Sequence, residues 1–385
     1  MNFSLTEEQL FWQKKSKNFA ETYLKPMVED LDAGKLSYKD VIRIANQENF
    51  RHWWIPNEYD GPGVMGKVIG CLITEELSKV SLDIMQIVSG PSLAGQFILH
   101  LGDDKQKDKY LKKLANKKTE YVAAFALTEA DSGSDVSQIQ TRARPVKGGF
   151  LLSGEKIYIT NGDIADVLVV GAKLLSDDRD VLKFFIVDKD ISGDFKTSRI
   201  RTSGITAAHL GEITFKDYFV DENKVLGFES RGTFEGDFLA FVQLMESSRI
   251  GVAAASVGIA QAAWDYTVQQ MKNNKRAGKS LISNQAIRFS LLDSKNQIEA
   301  ARLLVLRAAW MQDKGHPFVG AEGNLAKVFA SEVAQKTVVS CSELIGAKAF
   351  VHGNPMDKCF RDVRACLLWE GTTNVLKELS ARVFT

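Results

Sequence analysis

Apolar and polar residues alternate with two different periods along this chain, and the period changes twice. From residue 1 to about 120 the spacing is helical. Ser4 or Thr6 ahead of Glu7 and Glu8 predicts a helix start, with acids where the first turn favours them. Leu10, Phe11, Lys14, Lys15, Asn18 and Phe19 make a part-apolar stripe, and Pro26 stands near its end. The Gly- and Pro-rich segment YDGPGVMG (59–66) reads as a loop. Beyond it, Ile69, Leu72, Ile73, Leu77 and Val80 fall on one face of a helix over 68–80, and 81–101 reads as a buried helix.

Near residue 121 the helical period gives way to short β-rich runs: YVAAFAL, GFLLS, KIYIT, DVLVVGA, VLKFFIVD and GEITF. Lys147-Gly148-Gly149 and Ser176-Asp177-Asp178-Arg179-Asp180 are hairpin-like breaks between them. This stretch predicts a β unit, a small barrel or sandwich. From about 235 the helical period returns. The 249–271 segment is rich in Ala and Gly, which lets helix axes approach closely. Ile287, Leu291, Ile298, Ala301, Val305 and Ala308 mark a second helix interrupted by Ser294, and a third spans about 319–344. Consecutive helices with short connections predict an antiparallel bundle. The expected organisation is α+β in three units: helical 1–120, β 121–230 and a helical bundle 231–385.

Composition narrows the function. The chain has 385 residues, a formal net charge of +1 and 25% charged residues, so no broad electrostatic footprint for nucleic acid is expected. The basic residues from Lys105 to Lys118 are interleaved with acids, as on a solvated helix face. Cys71, Cys341, Cys359 and Cys366 lack Cys-x-x-Cys spacing, and the five histidines form no His-x-x-x-His pair. A metal site or disulfide framework is not expected, and a reducing, cytoplasmic setting fits. The polar start MNFSLTEEQL is not a signal peptide, and no run of about 18 apolar residues predicts a membrane span.

Three stretches carry candidate chemistry. In RDVRACLLWEGTTN (361–374), Glu370 follows Leu367, Leu368 and Trp369. Apolar surroundings raise a carboxyl pKa toward the working range of a general base, and the following Gly371, Thr372 and Thr373 offer close backbone approach and hydroxyl donors. The same pattern also describes an apolar run ending at a turn. ALTEADSGSD (126–135) packs Thr128, Ser132, Gly133 and Ser134 into a tight loop, suited to a phosphate or a flavin edge, or simply to a polar turn. KIYITNG (156–162) is an alternating strand with an Asn-Gly turn, and Tyr158 and Thr160 share one face of it. No Gly-x-Gly-x-x-Gly or Walker loop is present, which disfavours a Rossmann or P-loop enzyme.

Taken in order, FSLTEEQ, LTEADSGSD, KIYITNG, SSRIGVAAASVGIAQAA, AARLLVLRAA, LAKVFASEVA and FRD…WEGTTN resemble the acyl-CoA dehydrogenase family of flavoenzymes over essentially the whole chain. The resemblance implies an N-terminal helical domain, a middle β domain and a C-terminal four-helix bundle, with FAD between the last two. It places Phe125, Leu127, Thr128, Gly133, Ser134, Tyr158, Thr160, Thr372 and Asn374 at the cofactor. Thr128 matches a residue bonding the flavin ring, Ser134 one near the pyrophosphate, and Tyr158 stands where the family usually has Trp. Glu370 matches the base that removes the α-proton of an acyl thioester while the β-hydrogen leaves as hydride to flavin N5. The Glu370 backbone N–H and a ribityl hydroxyl would polarise the thioester carbonyl. Some relatives carry the base at the position of Ser248, which cannot serve. Glu246 is the second candidate. Arg249 is either a fixed cation near the site or half of a structural ion pair.

The resemblance also implies an electron-transferring flavoprotein as acceptor and a homodimer or homotetramer. It is broken at two places. A family Arg and Phe before Gly278 are replaced by Asn274 and Ala277, with Lys275 and Arg276 between them. The family's Gln-x-x-Gly-Gly reads Glu343-Leu344-Ile345-Gly346-Ala347, followed by Lys348. Both places would reach the FAD of a neighbouring subunit, and a carboxylate there repels a pyrophosphate unless it faces away or pairs with Lys348. Three readings follow: FAD held differently, a different partner subunit, or a divergent branch acting on acyl groups tethered to an acyl carrier protein, as in antibiotic precursor biosynthesis. A non-catalytic or half-site partner subunit is the further alternative.

Overall fold

The computed structural model describes residues 4–175, 181–189, 194–227, 234–316 and 321–384. The 176–180 break expected from sequence lies outside them. Seven helices come first: α1 (Glu7–Phe19), α2 (Val28–Asp32), α3 (Tyr38–Gln47), α4 (Lys67–Val80), α5 (Leu82–Ser89), α6 (Ser92–Leu101) and α7 (Asp104–Ala115). Thr6 caps α1 in a reciprocal box with Gln9, an arrangement that contributes about 1 kcal/mol. The stripe on α1 differs from expectation. Phe19 and Ser16 turn inward, with Trp12 half-buried beside them, while Leu10 and Phe11 face solvent. The single helix expected over 81–101 is two, broken at Gly90-Pro91: Gly90 keeps a helical backbone, but Pro91 has no N–H to continue the ladder and its ring crowds the preceding turn.

The middle of the chain is one mixed sheet of eight strands. They are β1 (Ala123–Ala126), β2 (Arg142–Val146), β3 (Gly149–Thr160), β4 (Val167–Leu174), β5 (Val181–Asp188), β6 (Phe195–Arg199), β7 (Leu210–Asp221) and β8 (Val225–Leu226). Their order is β6-β7-β3-β2-β4-β5-β8, with β1 laid parallel along β4. Alternation decides which side chains go where. Leu168 and Val170 join Phe150, Leu152, Phe185, Ile213, Phe215 and Val220 in a core held within the sheet. Val167 and Val169 point the other way, onto a second core shared with α6, α7 and the first helix of the bundle. GFLLS and KIYIT belong to one strand, β3, which bends at two register shifts against β7. Lys147 and Gly148 make the expected hairpin between β2 and β3. The Asn-Gly turn after β3 leads instead into β4, which does not pair with β3.

The last third is a bundle of α8 (Phe234–Asn273), α9 (Gln285–Asp313), α10 (Glu322–Ile345) and α11 (Pro355–Leu368), followed by α12 (Thr373–Phe384). Ala253, Ala254, Ala255, Ala260 and Ala263 line α8 where α4 and α10 pack against it. These small side chains let the axes come close, as the composition of 249–271 implies. Ser294 does not interrupt α9; its hydroxyl donates to the carbonyl of Ser290 one turn back, at 3.0 Å. No helix among the described residues is long and apolar enough to cross a membrane.

Between α8 and α9 a small hairpin pairs β9 (Lys275–Arg276) with β10 (Lys279–Ser280). Its two turn residues, Ala277 and Gly278, both have positive φ, +49° and +76°. A Cβ is unfavourable at the first of them. Ala277→Gly should therefore raise the urea midpoint, by up to about 1 kcal/mol in stability.

Candidate active site

The three parts of the chain enclose one large cleft of about 1950 Å³. Ligand pockets usually measure roughly 300–1,000 Å³, so there is room for more than one molecule. The sheet side presents Phe125, Leu127, Thr128, Gly133, Ser134, Tyr158 and Thr160. The bundle side presents Arg249, Glu370 and Thr372. The sequence-predicted residues therefore converge, with Asn374 as the exception: it is exposed at the start of α12, off the cleft wall.

A buried ion pair builds the sheet wall. Lys156, wholly buried in β3, donates to Glu129 at 2.7 Å and to the carbonyl of Leu127 at 2.9 Å. Glu129 also accepts the backbone N–H groups of Gln140 and Thr141. The carboxylate thus gathers both ends of the loop carrying Thr128, Gly133 and Ser134. Burial lowers the Lys156 pKa to about 8, while Lys156 and the backbone donors hold Glu129 low against its own burial. The carbonyl of Thr128 accepts Ile157 N–H at 2.9 Å, which fixes that loop beside Tyr158. Tyr158 sits in the left-handed region at φ +59°, inside the second register shift of β3, and its ring is exposed toward the cleft. That backbone state was not legible in the alternating pattern. Tyr158 and Thr160 both line the cleft, and so does Ile159 between them, so the register shift replaces the simple alternation expected here.

Opposite stands Glu370, at the end of α11. The chain reverses here through two left-handed residues, Glu370 (φ +53°) and Gly371 (φ +98°). Ser248 Oγ donates to Glu370 Oε1 at 2.7 Å. The other carboxyl oxygen, Oε2, is closed off from solvent and has no hydrogen-bond partner among the described residues. Burial raises the Glu370 pKa above the usual carboxylate value, opposed by Ser248, Arg249, Lys67 and Lys327. Two cations fix the turn. Arg249 Nε donates to the Glu370 carbonyl at 3.0 Å, and Lys327 Nζ donates to the Gly371 carbonyl at 2.9 Å and the Leu367 carbonyl at 3.3 Å. Lys327 is wholly buried on α10, below a helix C-terminus that favours a cation, and its pKa falls to about 8 through burial.

Glu246 has a different setting. It accepts the Asn324 backbone N–H at 3.3 Å and faces Arg249 Nη1 at 3.5 Å, tying α8 to the N-terminus of α10. Arg249 also donates to Asn324 Oδ1 at 2.8 Å. Both readings of Arg249 thus describe it: it belongs to an ion pair and it touches the Glu370 peptide. Lys67 and Lys327 were missed by sequence reasoning, and Ser248, considered there only as a position that cannot supply the base, is the donor to Glu370. Lys327 lies inside a quoted motif, LAKVFASEVA, and a lysine amid that apolar run was the available signal.

A second cluster closes the far end. The 200–208 loop, whose Arg201 to Ile205 line the cleft, is held by carboxylates from three helices. Asp362 accepts Ile205 N–H at 2.7 Å, Asp83 accepts Ala207 N–H at 2.8 Å, and Asp32 accepts Thr206 Oγ1 at 2.7 Å. Lys358 pairs with Asp83 and, at 2.8 Å, with Asp362, and Arg361 pairs with Asp32 at 2.8 Å. Gly204 lies directly on the carbonyl of Arg361, where any Cβ would collide. At the departures, Glu343 and Lys348 are both exposed, and no salt bridge joins them among the described residues.

Comparison with known proteins agrees along the whole chain. Residues 6–118, 124–218 and 238–385 match, respectively, the acyl-CoA dehydrogenase N-terminal, middle and C-terminal domains. The chain is 32% identical over 373 residues to an acyl-CoA dehydrogenase of Bacillus subtilis, covering 96% of each. It superposes on butyryl-CoA dehydrogenase from Megasphaera elsdenii with a TM-score of 0.91 and 31% identity, covering 100% of both chains. A chain from the electron transferring flavoprotein work on Acidaminococcus fermentans gives 0.92 and 32%, covering 100% of this chain and 99% of that one. Complexes solved with FAD share the fold. The chain belongs to the acyl-CoA dehydrogenase family, flavin oxidoreductases that act on CH–CH bonds, and its cofactor is FAD.

Proposed function

We propose that the protein dehydrogenates an acyl-CoA between its α and β carbons, with Glu370 as the base. The observation that carries this is the Glu370 carboxyl: one oxygen is held by Ser248 and the other is buried, without a partner, in the cleft wall. That oxygen is available for a proton, and the raised pKa brings its proton affinity closer to what α-proton removal needs. Arg249 and Lys327 grip the carbonyls of residues 370 and 371, so the carboxyl has a fixed origin. The Glu370 backbone N–H is the donor we assign to the thioester carbonyl, where charge develops as the proton leaves. Glu246 is engaged in anchoring α10 and is a poorer candidate.

FAD, when bound, takes up the β-hydrogen. The residues we assign to it are Thr128, Ser134, Tyr158 and Thr160 on the sheet wall, with Phe125, Leu127 and Gly133 shaping that wall and Thr372 approaching from the bundle. The cleft volume and the hydroxyl-rich loop support this fit. Asn374 is left out of the assignment because it is exposed off the wall. The similarity to the flavoprotein of Acidaminococcus fermentans supports an electron-transferring flavoprotein as acceptor. Exposed Phe289, Leu292, Leu303 and Trp310 along α9, with Phe350 91% exposed nearby in sequence to α10, support a homo-oligomer.

Anaerobic bleaching of the FAD-loaded protein tests the reaction. Acyl-CoAs should bleach the flavin band. Bleaching only by the same acyl groups on a carrier protein would replace CoA as the tether, and no bleaching by either would overturn the reading. The pH profile has a defined sign. A base works deprotonated, so kcat/KM should fall about tenfold per pH unit below the Glu370 pKa, with the break above the ordinary carboxylate value. A flat profile across the acid range would count against Glu370.

A further inference from the structure

Among the cations that line the cleft and that the mechanism above does not use, Lys67 lies nearest in structure to the Glu370 side, one serine away from its donor. Lys67 opens α4, and the Asp313 carboxylate at the end of α9 accepts the backbone N–H groups of Lys67 and Val68. The Lys67 side chain lines the cleft, where Nζ donates to Ser247 Oγ at 3.2 Å. The next residue, Ser248, donates to Glu370. The ammonium and the carboxyl are thus each one hydrogen bond away from adjacent serines of α8. An ammonium has three hydrogens to donate. Here one is engaged by a neutral hydroxyl, and among the described residues Lys67 has no salt bridge. Asp313 lies close enough to influence it, but its oxygens are committed to the start of α4. Burial lowers the Lys67 pKa despite the nearby Cys71, Glu370 and Asp313.

A desolvated ammonium facing methylene groups is unfavourable unless something accepts from it. A plain alkyl chain lying along this wall would strip water from Lys67 and return nothing. Thr74, two turns further along α4, and Gln312, next to Asp313 on α9, also line the cleft and add to its polar character. We propose that the acyl group carries an oxygen acceptor beyond its reacting carbons and that Lys67 binds it, a terminal carboxylate being the best match and a hydroxyl the second. This rests on Glu370 as the base, because Glu370 fixes where the α-carbon lies. Lys67 is then a specificity residue, reading the substrate a few bonds beyond the atoms that react.

The test compares FAD-loaded wild type, Lys67→Met and Lys67→Arg under anaerobic conditions. The probes are butyryl-CoA, γ-hydroxybutyryl-CoA, succinyl-CoA and glutaryl-CoA. Wild type should favour an oxygenated thioester over butyryl-CoA by about tenfold or more in kcat/KM, the scale of one charge-assisted hydrogen bond. Lys67→Met should collapse that ratio by a similar factor, and Lys67→Arg should retain it. Intact flavin absorbance in Lys67→Met reports that the fold and cofactor site survive. Preference for the hydroxyl over both carboxylates would identify a neutral acceptor at Lys67. Efficient bleaching by butyryl-CoA with no preference, or a ratio untouched by Lys67→Met, overturns this inference and leaves Glu370 as base standing. No bleaching by any probe overturns both.

Discussion

Glu370→Gln is expected to fold, to load FAD and to lose about 100- to 10,000-fold in turnover, the range a positioned general base supplies. The amide keeps the volume of the side chain and an oxygen for Ser248 Oγ, which donates to it in the parent at 2.7 Å. The carbonyl contacts of Arg249 and Lys327 involve the backbone and are untouched. What disappears is the proton acceptor. The loss should therefore fall on the rate of flavin bleaching and not on flavin content. Glu246→Gln gives the complementary pattern. Its carboxylate faces Arg249 and the start of α10, so its removal should lower stability before it lowers chemistry. Turnover of Glu370→Gln within a few-fold of wild type would move the base elsewhere, with Glu246 the next residue to test.

The three-part layout was readable in advance because each part has its own period. Side chains repeat every 3.6 residues in the helices and every two in the sheet, and those periods survive without any knowledge of contacts. The breaks were less readable where polar residues form elements. β2 and β6 (RARPV and FKTSR) show little apolar alternation, yet each takes its place because a neighbouring strand supplies the ladder. At the site, Glu370 stood out because a carboxylate follows an apolar run. Its partners did not. Ser248 is 122 residues away in sequence, and Lys327 reaches the same turn from another helix. Nothing local marks a serine as the donor to a distant carboxylate. Tyr158 shows a second limit. The alternation of KIYIT predicts one face for it and Thr160, but its left-handed backbone falls in the register shift between β3 and β7, and Ile159 reaches the cleft as well. The carboxylates that clamp the 200–208 loop come from α2, α5 and α11, so that cluster exists only in three dimensions.

Lys156→Met should be the most damaging single change outside the base. It removes a wholly buried ammonium and leaves Glu129, itself buried, with its charge and only backbone donors. Breaking a buried pair from one side costs about 3–5 kcal/mol, far more than the pair is worth against an apolar replacement of both. The position makes the effect local as well as global. Glu129 draws together the two ends of the loop that presents Thr128, Gly133 and Ser134 to the cleft, and Lys156 holds the Leu127 carbonyl just before it. Loosening that knot should release FAD before the helical parts unfold. Urea unfolding with flavin fluorescence as one probe and far-UV circular dichroism as the other should show the flavin signal moving to lower denaturant than the helical signal. Lys156→Met combined with Glu129→Gln removes the stranded charge while leaving an acceptor for one backbone N–H, so it should recover part of the stability and less of the flavin affinity. If Lys156→Met keeps both its unfolding midpoint and its flavin content, the ion pair is not what shapes the loop, and the hydrogen bond between Thr128 and Ile157 becomes the leading constraint.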